Sequence, residues 1–274
     1  MSVISNSITV YRSPNTVYNS PMITSLTNPK VKYVRRLIAE RRFRMREQAY
    51  VVEGTRWLTE FLDSQQSPSL VLHTAVWQNN HASILQQLNA PSQIVSEEVM
   101  TAISDTETPS GVLAIIPIQP RPLPPQPTLL LILDAVTNPG NLGTMLRSAA
   151  AAGADGVLLS PGCVDAYNPK VVRGGMGAHL RLPLHHLTWD EIAPIVQGMS
   201  VWVATAVGEQ MYTAVSWQTP SALIIGGEAH GLGEEAMRLA NGRIAIPMHR
   251  QTESLNAAVA ASVILFEAAR QRKE

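Results

Sequence analysis

TLLLILDAVTNPGNLGTMLRSAAAAG, residues Thr128 to Gly153, decides the fold. The unbroken apolar run Leu129 to Leu133 is too short for a typical helix and reads as a strand buried on both faces of a parallel sheet. It stops at Asp134. Turn formers follow (Asn138, Pro139, Gly140, Asn141), and then Leu142, Met145, Leu146 and Ala149 recur at helical spacing until Gly153 closes the helix. Loops at the carboxyl ends of parallel strands are where open α/β sheets bind ligands. Gly143 and Arg147, four residues apart, share a helix face that is not the apolar one. They read either as bare backbone beside a permanent cation, suited to an anionic ligand, or as a turn glycine and a surface arginine.

Two later segments repeat this strand, loop, helix scheme. SALIIGGEAHGLGEEA, Ser221 to Ala236, is a buried strand followed by Gly226, Gly227, Gly231 and Gly233 around Glu228 and His230. It is no phosphate-gripping P-loop, because Leu232-Gly233 stand where lysine and serine or threonine are required, and it lacks the dinucleotide glycine spacing. From Arg243 to Arg270 run a strand at Ile244 to Ile246, a polar loop from Pro247 to Glu253, and a helix opened by Ser254 as N-cap. Leu255, Ala258, Val259, Ser262, Val263 and Phe266 form its apolar stripe. Ala257, Ala260 and Ala261 keep the neighbouring faces flat, for core packing or for self-association. Gly156 to Ser160 and Val201 to Val207 supply further strands in the alternation of βαβ units. The histidines form no site by spacing, and GxSxG is absent.

Ahead of Thr128, prolines 117, 120, 122, 124, 125 and 127 make a semi-rigid linker and mark a domain boundary. In front of it, residues 21–116 form a small α/β module. QAYVVEGTRWLTE (Gln48 to Glu60) reads as strand, Gly54 turn and helix; Leu70 to Trp77, Ser92 to Val95 and Val112 to Ile116 read as strands, the last entered through a turn at Thr108 to Gly111. Lys30, Lys32, Arg35, Arg36, Arg41, Arg42, Arg44 and Arg46 fall within one short segment whose stripe of Val31, Val34, Leu37 and Ile38 leaves most cations facing outward. Such a face could hold phosphates or simply be a solvated helix. Residues 1–20 are Ser/Asn/Thr-rich, aperiodic, and read as a disordered tail without signal or transit character.

The 274 residues are 45% apolar with zero net charge, enough for a real core and no generic polyanion binder. No apolar run approaches the roughly 20 residues that span a bilayer. The single cysteine, Cys163, permits no internal disulfide or cysteine-based zinc site, which fits a reducing cytoplasm, a buried thiol and no structural metal.

The three segments together, NPGNLGTMLRSA, then IIGGEAHGLG, then IPMHRQTESLNAAVAASVILFEA, resemble the three motifs of the SpoU (TrmH-like) branch of the SPOUT RNA methyltransferases. The likeness covers residues 128 to 270, and YVVEGTRWL (Tyr50 to Leu58) with TPSGVLAI (Thr108 to Ile115) resembles the family's optional RNA-binding domain. The resemblance implies an S-adenosylmethionine-dependent RNA 2′-O-ribose methyltransferase acting as a homodimer. It also implies a carboxyl-terminal parallel-sheet domain, residues 128–274, with a deep trefoil knot at the twofold interface, a topology periodicity alone would not suggest. Carried over position by position, Asn141, Arg147, Glu228, Ser254 and Asn256 carry the chemistry. Thr205, Ala206, Gly226, Gly227, Ile246, Leu255 and Asn256 border the cofactor, and Arg35, Arg36, Arg41, Arg42, Arg44 and Arg46 become RNA contacts. No metal is implied. Relatives commonly have a serine near Gly175, where this chain can make no hydroxyl contact. The separate front domain favours ribosomal RNA over transfer RNA; a transfer RNA methyltransferase and a non-catalytic RNA-binding protein are the alternatives. A guanidinium holds its proton too tightly to be a base, so Arg147 is expected to stabilise the forming alkoxide and hold a nearby phosphate.

Overall fold

The structure, a computed structural model, describes residues 21–64, 66–228, 231–249 and 253–273. The amino-terminal tail expected over 1–20 lies outside the described residues, as do His230 and residues 250–252 of the polar loop.

The front module comprises α1 (Pro29–Ala39), α2 (Arg41–Glu47), β1 (Ala49–Glu53), α3 (Thr55–Asp63), β2 (Leu70–His73), α4 (Ala75–Leu88), β3 (Ser92–Ile94), α5 (Glu97–Ile103) and β4 (Val112–Pro117). Its sheet runs β1-β4-β2-β3, with β4 antiparallel to both neighbours and β3 parallel to β2. The apolar stripe of α1 is as expected, with Val31, Val34 and Leu37 buried, and Asn28 caps the helix by accepting from Lys30 N at 2.9 Å. The basic segment is nevertheless two helices, because Glu40 adopts an extended conformation between them. The strand expected over Leu70 to Trp77 ends at His73, since Thr74 Oγ1 accepts from Trp77 N at 3.2 Å and starts a helix there.

The second module comprises β5 (Leu129–Asp134), α6 (Pro139–Ala152), β6 (Gly156–Leu159), α7 (Pro169–Gly175), β7 (Leu184–His186), α8 (Trp189–Ile195), β8 (Ser200–Ala204), β9 (Gln210–Met211), β10 (Ser221–Gly226), α9 (Glu234–Leu239), β11 (Gly242–Ala245) and α10 (Ala257–Lys273). Its strands are all parallel in the order β7-β6-β5-β10-β8-β11-β9. The chain builds β9 at the far edge and then returns twice to the interior, placing β10 beside β5 and β11 beside β8. Every residue of β5 is buried, as a strand covered on both faces requires. Gly153, at φ +78°, closes α6 in the left-handed region. β8 stops at Ala204 and not Val207, because Thr205 Oγ1 donates to Val207 O at 2.9 Å and turns the chain.

The proline-rich segment is pinned along the surface. His185 Nε2 donates to Arg121 O at 2.9 Å, and Leu123 lies against Gly156, where a Cβ would come within 2.3 Å of its side chain. The two modules also share a core in which Tyr50, Val52, Trp57, Leu58 and Phe61 pack with Val172, Leu180 and Tyr167. Burying one such side chain contributes about 1.5–3 kcal/mol. Two of the ion pairs that bridge the modules, Arg181–Glu60 and Arg173–Asp105, have half-exposed arginines and contribute about 0–1 kcal/mol each. The third, Arg44–Asp165, is buried and offset by desolvation, so apolar contact chiefly holds the modules together.

His179 sits in this interface, buried among Tyr50, Trp57 and Tyr167. Its Nε2 donates to Ala166 O at 2.7 Å, and burial pushes its pKa down to about 4. An unfolded histidine binds its proton near pH 6.5. The stabilising effect is therefore complete above that pH and is lost as pH falls towards 4, by on the order of 3 kcal/mol. Burial shifts His73 and His186 in the same direction. Thermal denaturation at pH 7 and pH 5 is expected to show a lower midpoint in acid, with a smaller drop in His179→Asn; an equal drop in both would assign the effect elsewhere. Gly175 lies against this ring, where a Cβ would approach its Cε1 to 3.0 Å, so the serine common in relatives has little room in this chain.

Candidate functional site

At the start of α6, Asn138 Oδ1 accepts from Gly140 N at 2.8 Å and Asn141 N at 3.2 Å, with Pro139 at the first helical position. This cap fixes the first turn and leaves the Asn141 side chain outward. Its amide nitrogen donates to Glu228 Oε1, and its amide oxygen accepts from Asn256 Nδ2 at 3.2 Å. The three segments singled out in the sequence are thus tied by one hydrogen-bonded row, Glu228, Asn141, Asn256.

Asn256 has a second duty: its Oδ1 accepts from Ala258 N at 2.9 Å and Val259 N at 3.3 Å. It is the cap of α10, which corrects the expectation for Ser254. Ser254 instead lines the neighbouring cleft. The helix is also turned relative to expectation. Ala258, Ala261, Ile264, Leu265 and Ala268 are buried, while Leu255, Val259 and Phe266 are 37%, 47% and 52% exposed. The alanines allow close approach to α6, where Ser148 donates to Ser262 at 2.7 Å, and the larger side chains are left outside.

The glycine loop is anchored by Asp134, read from the sequence only as the end of a strand. This carboxylate, 5% exposed, accepts from Gly233 N at 2.7 Å and from Ser160 Oγ at 3.2 Å, and its backbone carbonyl accepts from Gly227 N at 2.8 Å. An acid at the carboxyl end of an all-apolar strand was the available signal. A Cβ at Gly226 would stand 2.4 Å from Gly231 O, and one at Gly227 would stand 2.4 Å from Ala135 O. Both glycines are dictated by close backbone approach. Gly143 is too, but for packing: a Cβ there would meet Val171 O at 2.8 Å and Gly174 Cα at 3.0 Å, so it seats α6 on α7 and offers no backbone to a ligand.

A cleft of about 550 Å³ opens at the carboxyl ends of β8, β10 and β11, within the usual range for small-molecule sites. Thr205, Ala206, Gly226, Gly227, Glu228, Ile246, Ser254, Leu255 and Asn256 all line it, with Leu232, Met248, Ala257 and Ala260 as lining the sequence reading had not assigned. Small side chains on α10 and bare backbone on the glycine loop leave room for a flat ring system, and Glu228 and Asn256 supply polar groups at one wall. A second cavity of about 150 Å³ between the modules is too small for a nucleoside. Among the described residues no cluster of three His, Cys, Asp or Glu side chains could hold a metal, and no helix is long and apolar enough to cross a membrane. Cys163 is free and buried, and burial pushes its thiol up.

Arg147 is not in the cleft. It projects from the exposed face of α6, about two turns beyond Asn141, and makes no hydrogen bond or ion pair with a described residue. The front module presents Arg35, Arg41 and Arg42 on its surface without an ion-pair partner among the described residues. Arg36 and Arg46 are exposed but pair with Glu40 and Glu47 and flank the Phe43 ring at 3.9 and 4.8 Å. Arg44 corrects the expectation of an RNA contact: it is 2% exposed and bonded to Asp165.

Residues 128–266 match the model of the SpoU rRNA methylase family, and residues 28–114 match that of the MRM3-like substrate binding domain. The chain is 35% identical to an uncharacterized tRNA/rRNA methyltransferase of Synechocystis sp., over 91% of this chain and 94% of that protein. It is 31% identical to the 23S rRNA (guanosine(2553)-2′-O)-methyltransferase RlmP of Bacillus subtilis, over 89% of this chain and 97% of that one. Among solved structures it resembles the AdoMet-bound rRNA methyltransferase from Sinorhizobium meliloti, with a TM-score of 0.80, 29% identity, and coverage of 91% and 97% of the two chains.

Proposed function

Because the chain belongs to the SpoU rRNA methylase family, we propose that it methylates a ribose of ribosomal RNA at a site that two copies of the chain complete together. It is an S-adenosylmethionine-dependent RNA 2′-O-methyltransferase of the SPOUT fold. The cleft beside Glu228 and Asn256 takes the cofactor, which when bound supplies a methyl group already activated by a sulfonium centre. The protein's own residues must then hold a ribose 2′-hydroxyl in line with that methyl and help it lose its proton.

In this reading Asn141, Glu228 and Asn256 keep the three loops in register around the cleft. Arg147 stabilises the alkoxide as it forms and holds the adjoining phosphate, while the proton leaves to water. The observation that carries the two-copy site is the position of Arg147, exposed and outside its own cleft, on a helix packed against α10, whose Val259 and Phe266 remain uncovered. A twofold pairing through that apolar face would bring one chain's Arg147 to its partner's cleft. Labelled methyl transfer to unmodified ribosomal and transfer RNA, compared side by side, tests the substrate class: label in ribosomal RNA is expected, and label in transfer RNA alone would replace the assignment.

Arg35, Arg41 and Arg42 are the RNA-facing cations of the front module. Replacing all three by alanine is expected to weaken RNA affinity and to reduce the slope of log affinity against log salt by about 2–3, with cofactor affinity unchanged. Unaltered salt dependence would remove this face from the RNA path.

A further inference from the structure

The same basic segment contains one arginine that faces inward, and its contacts link three parts of the molecule. Arg44 Nη1 donates to Leu37 O at 2.6 Å and Ile38 O at 2.9 Å, the last carbonyls of α1. Its Nε and Nη2 donate to Asp165 Oδ2 at 2.9 and 2.7 Å, across to the second module. Both side chains are almost wholly buried, 3% and 4% exposed. Asp165 is held in turn by Tyr167 N, which donates to Oδ1 at 3.0 Å.

Asp165 lies in the segment that leads from β6 into α7, and α7 is the helix whose Gly174 backbone seats Gly143 of α6. Two residues before Gly143 is Asn141; four after it is Arg147. A short, tightly packed route therefore runs from the junction of the cation-bearing helices to the helix that carries Asn141, which holds the cleft loops in register, and Arg147, which is assigned to the reacting ribose. The junction itself is set by Arg44, with Arg41 and Arg42 on the turn before it and Arg35 on the helix it caps.

A buried ion pair is a poor source of stability, because desolvating two charges offsets most of their attraction; its better attested use is to fix one geometry among several. We propose that the Arg44–Asp165 pair is a positioning device that sets the register between the RNA-carrying helices and the methyl-transfer site, so that one ribose is presented and its neighbours are not. The inference rests on the function proposed above. Arg44 and Asp165 are positioning residues and touch neither cofactor nor the reacting oxygen.

The test compares the full-length parent with Arg44→Met/Asp165→Asn, which removes both charges while an asparagine can still accept from Tyr167 N, and with Arg44→Lys, which keeps the charge but not the fork. Three quantities are read: S-adenosylmethionine affinity, RNA affinity, and the single-turnover rate with methylated riboses mapped at nucleotide resolution. The expected result for the double variant is cofactor affinity within about twofold of the parent and RNA affinity within about threefold. Transfer at the native ribose falls by about tenfold and label appears on neighbouring riboses, since small misplacements of reacting groups cost rate steeply. Arg44→Lys falls between. A double variant that methylates the same single ribose at the parental rate would overturn the proposal. So would loss of cofactor binding in both variants, which would make the pair a stability element only. If the parent itself transfers no methyl group to ribosomal RNA, the proposed function fails, and the pair's assigned role falls with it.

Discussion

Arg147→Ala is expected to lower single-turnover methyl transfer by about 10²–10³-fold, the usual loss when a preorganised donor to a developing oxyanion is removed. Affinity for S-adenosylmethionine should stay within a few-fold of the parent, because Arg147 is exposed and lies outside the cleft of its own chain. Equilibrium cofactor binding and single-turnover rates separate the two effects. Arg147→Lys sharpens the assignment: a lysine keeps the charge but loses the planar fork that can engage an alkoxide and a phosphate together. Near-normal turnover by the lysine variant, with RNA binding unaltered, would exclude a need for the guanidinium. A rate for Arg147→Ala close to the parent's would remove the residue from the chemistry.

The second large effect is expected at Gly226. An alanine there places a Cβ 2.4 Å from Gly231 O and 2.5 Å from Gly231 C, both backbone atoms that can yield only if the whole loop moves. Overpacking of this kind costs about 1–3 kcal/mol. The displacement falls on the wall of the cleft, so about 100-fold weaker binding of S-adenosylmethionine is expected. Gly233→Ala is the control: its Cβ would meet Asp134 Oδ2 at 3.4 Å, an ordinary contact, and binding should be near normal. Calorimetric titration of both variants reads the difference, and equal affinities would show that the glycine loop does not shape the cofactor site.

The legible parts of the molecule are those whose signals are local. β5 and α6 are specified by an apolar run, a capping asparagine and a closing glycine within a single stretch, and they form where expected. What was not legible depends on partners distant in the chain. Arg44 looks like its neighbours until Asp165, 121 residues away, draws it inward. Ser254 and Asn256 are both good caps by residue type, and the choice between them goes with the Asn141 amide, 115 residues away, which Asn256 also engages. The apolar stripe of α10 was counted from its largest side chains, whereas the buried face is built largely from alanines because α6 comes close. Gly143 could not be read either way from sequence, since a bare backbone serves a ligand or a helix contact equally well.

The central claim, that one chain's Arg147 serves its partner's cleft, is tested most directly by mixing two variants that are each defective alone, at a cofactor concentration that fills the parental cleft but not that of Gly226→Ala. Arg147→Ala keeps a good cleft, and Gly226→Ala keeps a good arginine. Unfolded together and refolded, they should form mixed dimers with one complete site each. Random pairing then predicts recovery of methyl transfer to about a quarter of the parental rate. No activity above that of the separate variants, with mixed dimers demonstrated, would place Arg147 and the cleft it serves in the same chain and contradict the account.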